Sequence, residues 1–125
     1  MQLSEQRLGD AILLRTSGRI DRSSVDTFKA ALQPHLDQCK PGGLVIVLDL
    51  SATDYVSSLG FQVLLVAQRR AKIQYGALAL AALQPGVKAI FEVANFSNVI
   101  RCYDSVREAF VELSPSALAE YTPGA

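Results

Sequence analysis

The chain has no tryptophan, one histidine, one methionine and two cysteines in 125 residues. Cys39 and Cys102 are too few for a disulfide framework and form no Cys-x-x-Cys pair, so both are expected as reduced thiols. With no His-x-x-x-His spacing either, no metal site is recognisable. His35 sits beside Pro34, has no sequence partner for a triad, and is expected as a partly exposed surface residue. The phosphate cradles Gly-x-x-x-x-Gly-Lys and Gly-x-Gly-x-x-Gly are missing. So is the Gly-x-Ser-x-Gly elbow of serine hydrolases, because Ser58 has Gly60 after it but Val56 before it. Charge of one sign is not in excess: 12 basic residues face 12 acidic ones. That excludes sequence-independent nucleic-acid binding, which needs a basic surplus to neutralise phosphates. It also excludes a disordered, highly charged chain. No apolar run reaches the roughly 20 residues that span a bilayer, and the first residues lack the basic-then-apolar pattern of a signal peptide. Catalysis, a metal, a cofactor, direct nucleic-acid contact and membrane insertion are therefore not expected. The chain reads as a cytoplasmic, soluble domain.

What is present is ordered apolar patterning. Hydrophobic residues make up 50% of the chain, and a chain of this size buries roughly two thirds of its unfolded surface. Residues 2–8 and 11–16 read as two strands around a Gly9-Asp10 turn, since glycine first suits a type II′ hairpin. Residues 18–21 lead to a helix start at Ser23 and Ser24, and Val25, Phe28 and Leu32 form its apolar stripe. Pro34 is expected to kink or end that helix. After the Pro41-Gly42-Gly43 turn, residues 44–50 read as a strand covered on both faces, and residues 51–57 as a polar loop. A second helix spans 58–73, with Arg69, Arg70 and Lys72 where cations suit the dipole. A strand at 77–82 precedes a third helix opened by Pro85, with Val87, Ile90, Phe91 and Ala94 at helical spacing. A short strand at 99–102 precedes a fourth helix, capped by Ser105 and Glu108 and lined by Val106, Ala109, Phe110 and Leu113.

The order β-β-α-β-α-β-α-β-α predicts an α/β fold. Its sheet should be mixed, of about five strands opened by an antiparallel hairpin, with about four helices packed on it. The domain is assigned to residues 1–113. Residues 114–125, with Pro115, Pro123, Gly124 and the single charge Glu120, are expected as a loosely held tail.

Asp49 and Asp54 invite comparison with paired catalytic carboxylates. The simpler reading is that Asp49 ends a strand and Asp54 fixes a loop. Asp49 nevertheless lies in the most apolar strand, where a charge needs a partner. Sites in open α/β sheets gather at the C-terminal ends of strands, which directs attention to residues 51–60.

There a buried strand runs into a polar loop, and Ser57-Ser58-Leu59-Gly60 opens a helix. Serine at this place is a helix cap. A phosphate carried here would meet unpaired N–H groups and the positive end of the helix dipole. Its charge of about minus two would alter an interface without unfolding the domain.

Three ordered segments carry a resemblance. They are Gly18-Arg19-Ile20-Asp21, the strand-loop-helix stretch 45–65, and the closing run 99–109 with its Tyr, Asp, Ser and Glu-Ala. Together they resemble the STAS-domain anti-sigma factor antagonist family of bacteria. The resemblance implies a non-catalytic partner switch that regulates transcription, for example in a stress response. The unphosphorylated form would bind an anti-sigma factor of the serine-kinase type and release the sigma factor. Phosphorylation would end the complex, and a phosphatase would restore it. The phosphoacceptor then falls on Ser58, with Ser57 as substitute. The implied partner-binding residues are Gly18, Asp21, Asp54, Ser57, Ser58, Leu59, Gly60 and Phe61. The chain departs from the family pattern twice: Ser57 replaces the usual Asp, and Leu59 replaces a Ser or Ala. Both departures also suit the alternative of a STAS subunit docking on the ATPase of an ABC-type transporter.

Overall fold

The computed structural model describes residues 1–122. Strands β1 (Gln2–Leu8) and β2 (Ala11–Ile20) form the expected hairpin, with Leu8 opposite Ala11 across Gly9-Asp10. Gly9 has φ +53° while Asp10 stays at negative φ, the combination that a type II′ turn requires. Next come α1 (Val25–Leu36), β3 (Val45–Val56), α2 (Ser58–Ile73), β4 (Leu78–Ala81) and α3 (Pro85–Val93). A short 3-10 turn at Phe96–Asn98 leads to β5 (Arg101–Tyr103), α4 (Val106–Leu113) and α5 (Pro115–Glu120). The sheet order is β1-β2-β3-β4-β5, antiparallel at the first pair and parallel thereafter. This is the mixed five-stranded α/β sheet that the sequence predicts.

Alternation along the strands divides the core between two faces. Leu14, Ile46, Leu48 and Leu80 face α1, α2 and α3, where Phe28, Leu32, Leu64 and Phe91 meet them. Their neighbours Leu13, Val47 and Ala81 face the other way, onto Val106, Ala109, Phe110 and Ala117. Both faces of the central strands are covered, which is why residues 44–50 read as an apolar run interrupted only by Asp49.

The structure corrects four expectations. First, residues 51–56 are not a loop: β3 continues through them, and β2 extends beside it, pairing Ser17 with Ala52 and Ile20 with Val56. Ser51, Ala52, Asp54 and Tyr55 are exposed while Thr53 and Val56 are buried. Polar side chains here mark a partly uncovered strand. Thr53 Oγ1 donates to Thr16 O at 3.0 Å and lies 2.5 Å from Thr16 Oγ1, so the one inward polar residue is satisfied.

Second, Pro34 does not end α1, which runs two residues further to Leu36. Near the C-terminus its missing N–H costs only one bond, and Leu36 continues the buried stripe of Phe28 and Leu32. Third, β5 starts later than expected because the 3-10 turn takes up residues 96–98.

Fourth, residues 115–120 are a docked helix. Ser114 is buried and caps it by accepting from Ala117 N at 3.2 Å. Pro115 occupies the first helical position, where proline is tolerated. Asp10 in the hairpin turn accepts from Ser114 Oγ, and from Ser116 Oγ at 2.9 Å. A Cβ on Gly9 would lie 2.4 Å from Ser116 Oγ, so the turn and α5 are in intimate contact. Pro115, which suggested a tail, is the start signal of a fifth helix. Pro123 and Gly124 lie outside the described residues.

Candidate functional site

The head of α2 is built on a close approach. An added Cβ on Gly60 would stand 2.8 Å from Val56 Cγ1 and 2.9 Å from Ile20 Cγ2. Glycine therefore lets the first turn of α2 rest directly on the ends of β2 and β3. Ser57 N donates to Ile20 O at 2.8 Å, tying the helix start to the neighbouring strand. Ser57 is the N-cap: its Oγ accepts from Gly60 N at 3.4 Å and its carbonyl from Phe61 N at 3.0 Å. Phe61 packs inward on Phe91 and Phe96, with ring centroids 4.6 and 5.3 Å away.

Ser58 follows at the first helical position. It is exposed, and its hydroxyl has no hydrogen-bond partner among the described residues. The amides of Ser58 and Leu59 likewise donate to no group there, as the geometry of a helix start dictates. The first turn carries no acidic residue. An anion on Ser58 would therefore meet free N–H groups and no neighbouring carboxylate from that turn. Leu59 is 37% exposed and points apolar surface outward.

Beside the α2 head lies the turn between β2 and α1. Before it, inside β2, Gly18 has φ +81° at a register shift opposite Thr53, a conformation that glycine adopts without a Cβ penalty. Asp21 organises the turn, accepting from Ser23 N at 3.1 Å and Ser23 Oγ at 2.7 Å. These hydroxyl and amide bonds, with Arg19 nearby, hold the Asp21 carboxyl below its ordinary range despite an opposing desolvation effect. Ser24 stands at the N-cap of α1, but its hydroxyl donates to Arg19 O at 2.7 Å and accepts from Asp21 N at 3.0 Å. Its task is closing the turn. Arg19 reaches from Asp21 (Nε to Oδ2, 3.4 Å) to the Tyr55 ring, 4.1 Å from its centroid, a cation–π contact.

The structure thus brings the β2–α1 turn and the α2 head side by side, joining Asp21, Ser57, Ser58, Leu59 and Gly60 at the C-terminal ends of β2 and β3. Asp54 is exposed on the same stretch of β3 and makes no ion pair among the described residues. It does not pair with Asp49. Asp49 faces Arg15 across the β2–β3 ladder, with Nε 3.3 Å from Oδ2, and its other oxygen accepts from Ser51 N at 3.0 Å. That partner meets the cost of a carboxylate within an apolar strand. His35 is elsewhere, with Nε2 3.0 Å from Glu5 Oε1. No cluster of three or more metal-binding side chains occurs among the described residues.

Sequence reasoning did not find Arg19 and Tyr55 as a pair, because their contact depends on the β2–β3 register. It also did not find a groove of about 340 Å³ between α1 and α2. Val25, Leu32, Leu59, Val63 and Val66 supply its apolar lining, and Lys29 and Arg70 are among its charged neighbours. The signal was available in the wide apolar arc of α2, wider than one sheet face can cover; Val66 is 59% exposed.

No helix among the described residues is long and apolar enough to cross a membrane. In comparisons with known proteins, an anti-sigma factor antagonist by name, BtrV of Bordetella bronchiseptica, is 28% identical over 118 residues, covering 94% of this chain and 98% of that protein. A Thermotoga maritima crystal structure described as an anti-sigma factor antagonist superposes with a TM-score of 0.80 at 19% identity, covering 89% of this chain and 93% of that one. The Bacillus cell fate determinant SpoIIAA in its phosphorylated form superposes with a TM-score of 0.66 at 16% identity, covering 88% and 97%. The two structural likenesses are likenesses of fold. The STAS domain family model matches residues 2–109; the chain belongs to the STAS domain family.

Proposed function

We propose that this protein is an anti-sigma factor antagonist whose partner binding is switched at Ser58. In the unphosphorylated state the α2 head and the groove beside it bind an anti-sigma factor of the serine-kinase type, which then releases its sigma factor. The observation that carries this reading is Ser58 itself: exposed, with an unengaged hydroxyl, between free amides and the apolar surface of Leu59. Ser57 is the poorer acceptor because its hydroxyl caps the helix and is half-buried. The name of the Bordetella relative and the phosphorylated state of the Bacillus structure support the reading.

The switch works by charge at an interface. A phosphoryl group brings about minus two charges to a surface where the adjacent residue, Leu59, is exposed. A partner that buries Leu59 must then desolvate the phosphate or leave. The fold is spared, since the helix start accommodates the anion. A phosphatase would reverse the change, and this chain contributes no catalysis.

The test combines mass spectrometry after incubation with the cognate kinase and ATP, and titration calorimetry of wild type, Ser58→Ala and Ser58→Asp against that kinase. One phosphate on Ser58 is expected, none on Ser58→Ala, and at least tenfold weaker binding by Ser58→Asp. Modification elsewhere, or equal binding by wild type and Ser58→Asp, would refute the switch. A wild-type protein with no affinity for the kinase at micromolar concentration would refute the partner.

A further inference from the structure

Far from Ser58, a cavity of about 410 Å³ opens between the last turns of α2, the start of β4 and the 3-10 turn before β5. Helix α2 has 16 residues, which separates its two ends by about 24 Å. Gln68 and Lys72 line the cavity from α2, Ser97 and Asn98 from the turn, and Arg101 from β5. No carboxylate lines it.

Three observations point to a ligand. Lys72 and Arg101 converge on one cavity whose lining holds no counter-charge, and neither forms an ion pair among the described residues. The side-chain oxygen of Gln68 is buried without a hydrogen-bond partner, an arrangement that a donor on a ligand would relieve. The volume lies within the roughly 300–1,000 Å³ typical of small-molecule sites. A cation at Lys72 also complements the helix dipole. That accounts for neither Arg101, which lies on a strand, nor the Gln68 oxygen.

We propose that this cavity binds a small phosphate ester that also carries a hydroxyl or amino donor. Lys72 and Arg101 take the phosphate oxygens through charge-assisted hydrogen bonds. Ser97 and Asn98 add neutral contacts, and Gln68 accepts from the ligand's donor. The site stands apart from the Ser58 switch and does not depend on that reading.

The probes are glycerol 1-phosphate and inorganic phosphate, titrated into isotope-labelled protein and followed by amide chemical shifts. Sodium chloride at matched ionic strength is the control. Saturable shifts are expected at residues 68, 72 and 97–101, with the ester binding more tightly than inorganic phosphate. The exposed pair Lys72→Gln and Arg101→Gln together should weaken binding at least tenfold, since each charged contact is worth about that factor. Gln68→Leu should keep inorganic phosphate binding and lose the preference for the ester. Co-sedimentation with phosphatidylglycerol vesicles, abolished by the double variant, would assign the phosphate to a lipid headgroup; binding of the free ester without sedimentation would assign it to a soluble molecule. Shifts no larger than those of sodium chloride, or unchanged in the double variant, would overturn the proposal. A Gln68→Leu protein that still prefers the ester would overturn the role of Gln68.

Discussion

Adding one methyl group at Gly60, and the same methyl at Gly86, measures how tightly α2 is seated. Both glycines lie in the first turn of a helix, Gly60 in α2 and Gly86 in α3. Alanine at either site gains about 0.5–1 kcal/mol, through helix propensity and a less flexible unfolded chain. The surroundings differ. At Gly86 a Cβ would meet nothing within 4 Å, whereas at Gly60 it would meet Val56 Cγ1 at 2.8 Å and Ile20 Cγ2 at 2.9 Å. Both neighbours are buried and β-branched, so their methyls cannot swing aside without leaving their rotamers. Relief requires α2 to rise by several tenths of an ångström, and overpacking of this kind costs about 1–3 kcal/mol. Gly86→Ala should therefore stabilise the protein by about 0.5–1 kcal/mol, and Gly60→Ala should lie about 1–3 kcal/mol below it. Urea unfolding at equilibrium reads the difference directly, with m unchanged in both variants. In thermal melts it amounts to about 4 °C for each kcal/mol at this chain length. Two variants of equal stability would refute the close seating of α2 on β2 and β3, and with it the geometry that presents Ser58.

Four further outcomes follow from particular contacts. Val66→Asp, placed in the exposed wall of the α1–α2 groove, should abolish binding of the anti-sigma factor while changing stability by no more than about 0.5 kcal/mol; undiminished affinity in calorimetry would remove the groove from the interface. Asp49→Ala should cost about 1–3 kcal/mol in urea unfolding, because Arg15 loses its partner yet stays partly solvated; a neutral effect would show that the pair contributes nothing. Hydroxyl donation, first from Ser114 and then from Ser116, holds the Asp10 carboxyl below its ordinary 3.8. A lowered folded-state value means that the unfolded chain takes up the proton first, so this stabilisation is complete above roughly pH 5 and is lost as the pH falls through the folded value; Asp10→Asn should flatten the stability profile below roughly pH 4, and an unchanged acid slope would contradict the clamp. Burial pushes the thiols of both Cys39 and Cys102 up, but Cys39 is fully buried while Cys102 is partly exposed, so a thiol reagent should label Cys102 first and Cys39 only in denaturant.

Much of this molecule is legible in one dimension, for reasons that can be named. The stripes Val25-Phe28-Leu32 and Val106-Ala109-Phe110 repeat at helical spacing because each helix turns one face to the core. Gly9-Asp10 announces a hairpin because φ must be positive at Gly9. Ser57 and Ser105 announce helix starts because first-turn amides need acceptors. The phosphoacceptor candidate was legible from the same capping pattern together with the ordered family segments. Residues 51–56 misled, because a strand that leaves one face to solvent has the composition of a loop. Residues 114–120 misled as well, because Pro115 at the first helical position has the composition of a break.

The sequence by itself determined the element order, the mixed sheet, the hairpin and the position of the α2 head, since these depend on neighbours within a few residues and on period. Only the tertiary structure decided which serine stands free. Capping occupies the Ser57 hydroxyl and seats Gly60 against Ile20 and Val56, leaving Ser58 outward. The Arg19–Tyr55 contact and the α1–α2 groove were likewise decided in three dimensions. Each joins residues far apart in the chain, brought together by a strand register and a helix packing that no local pattern encodes.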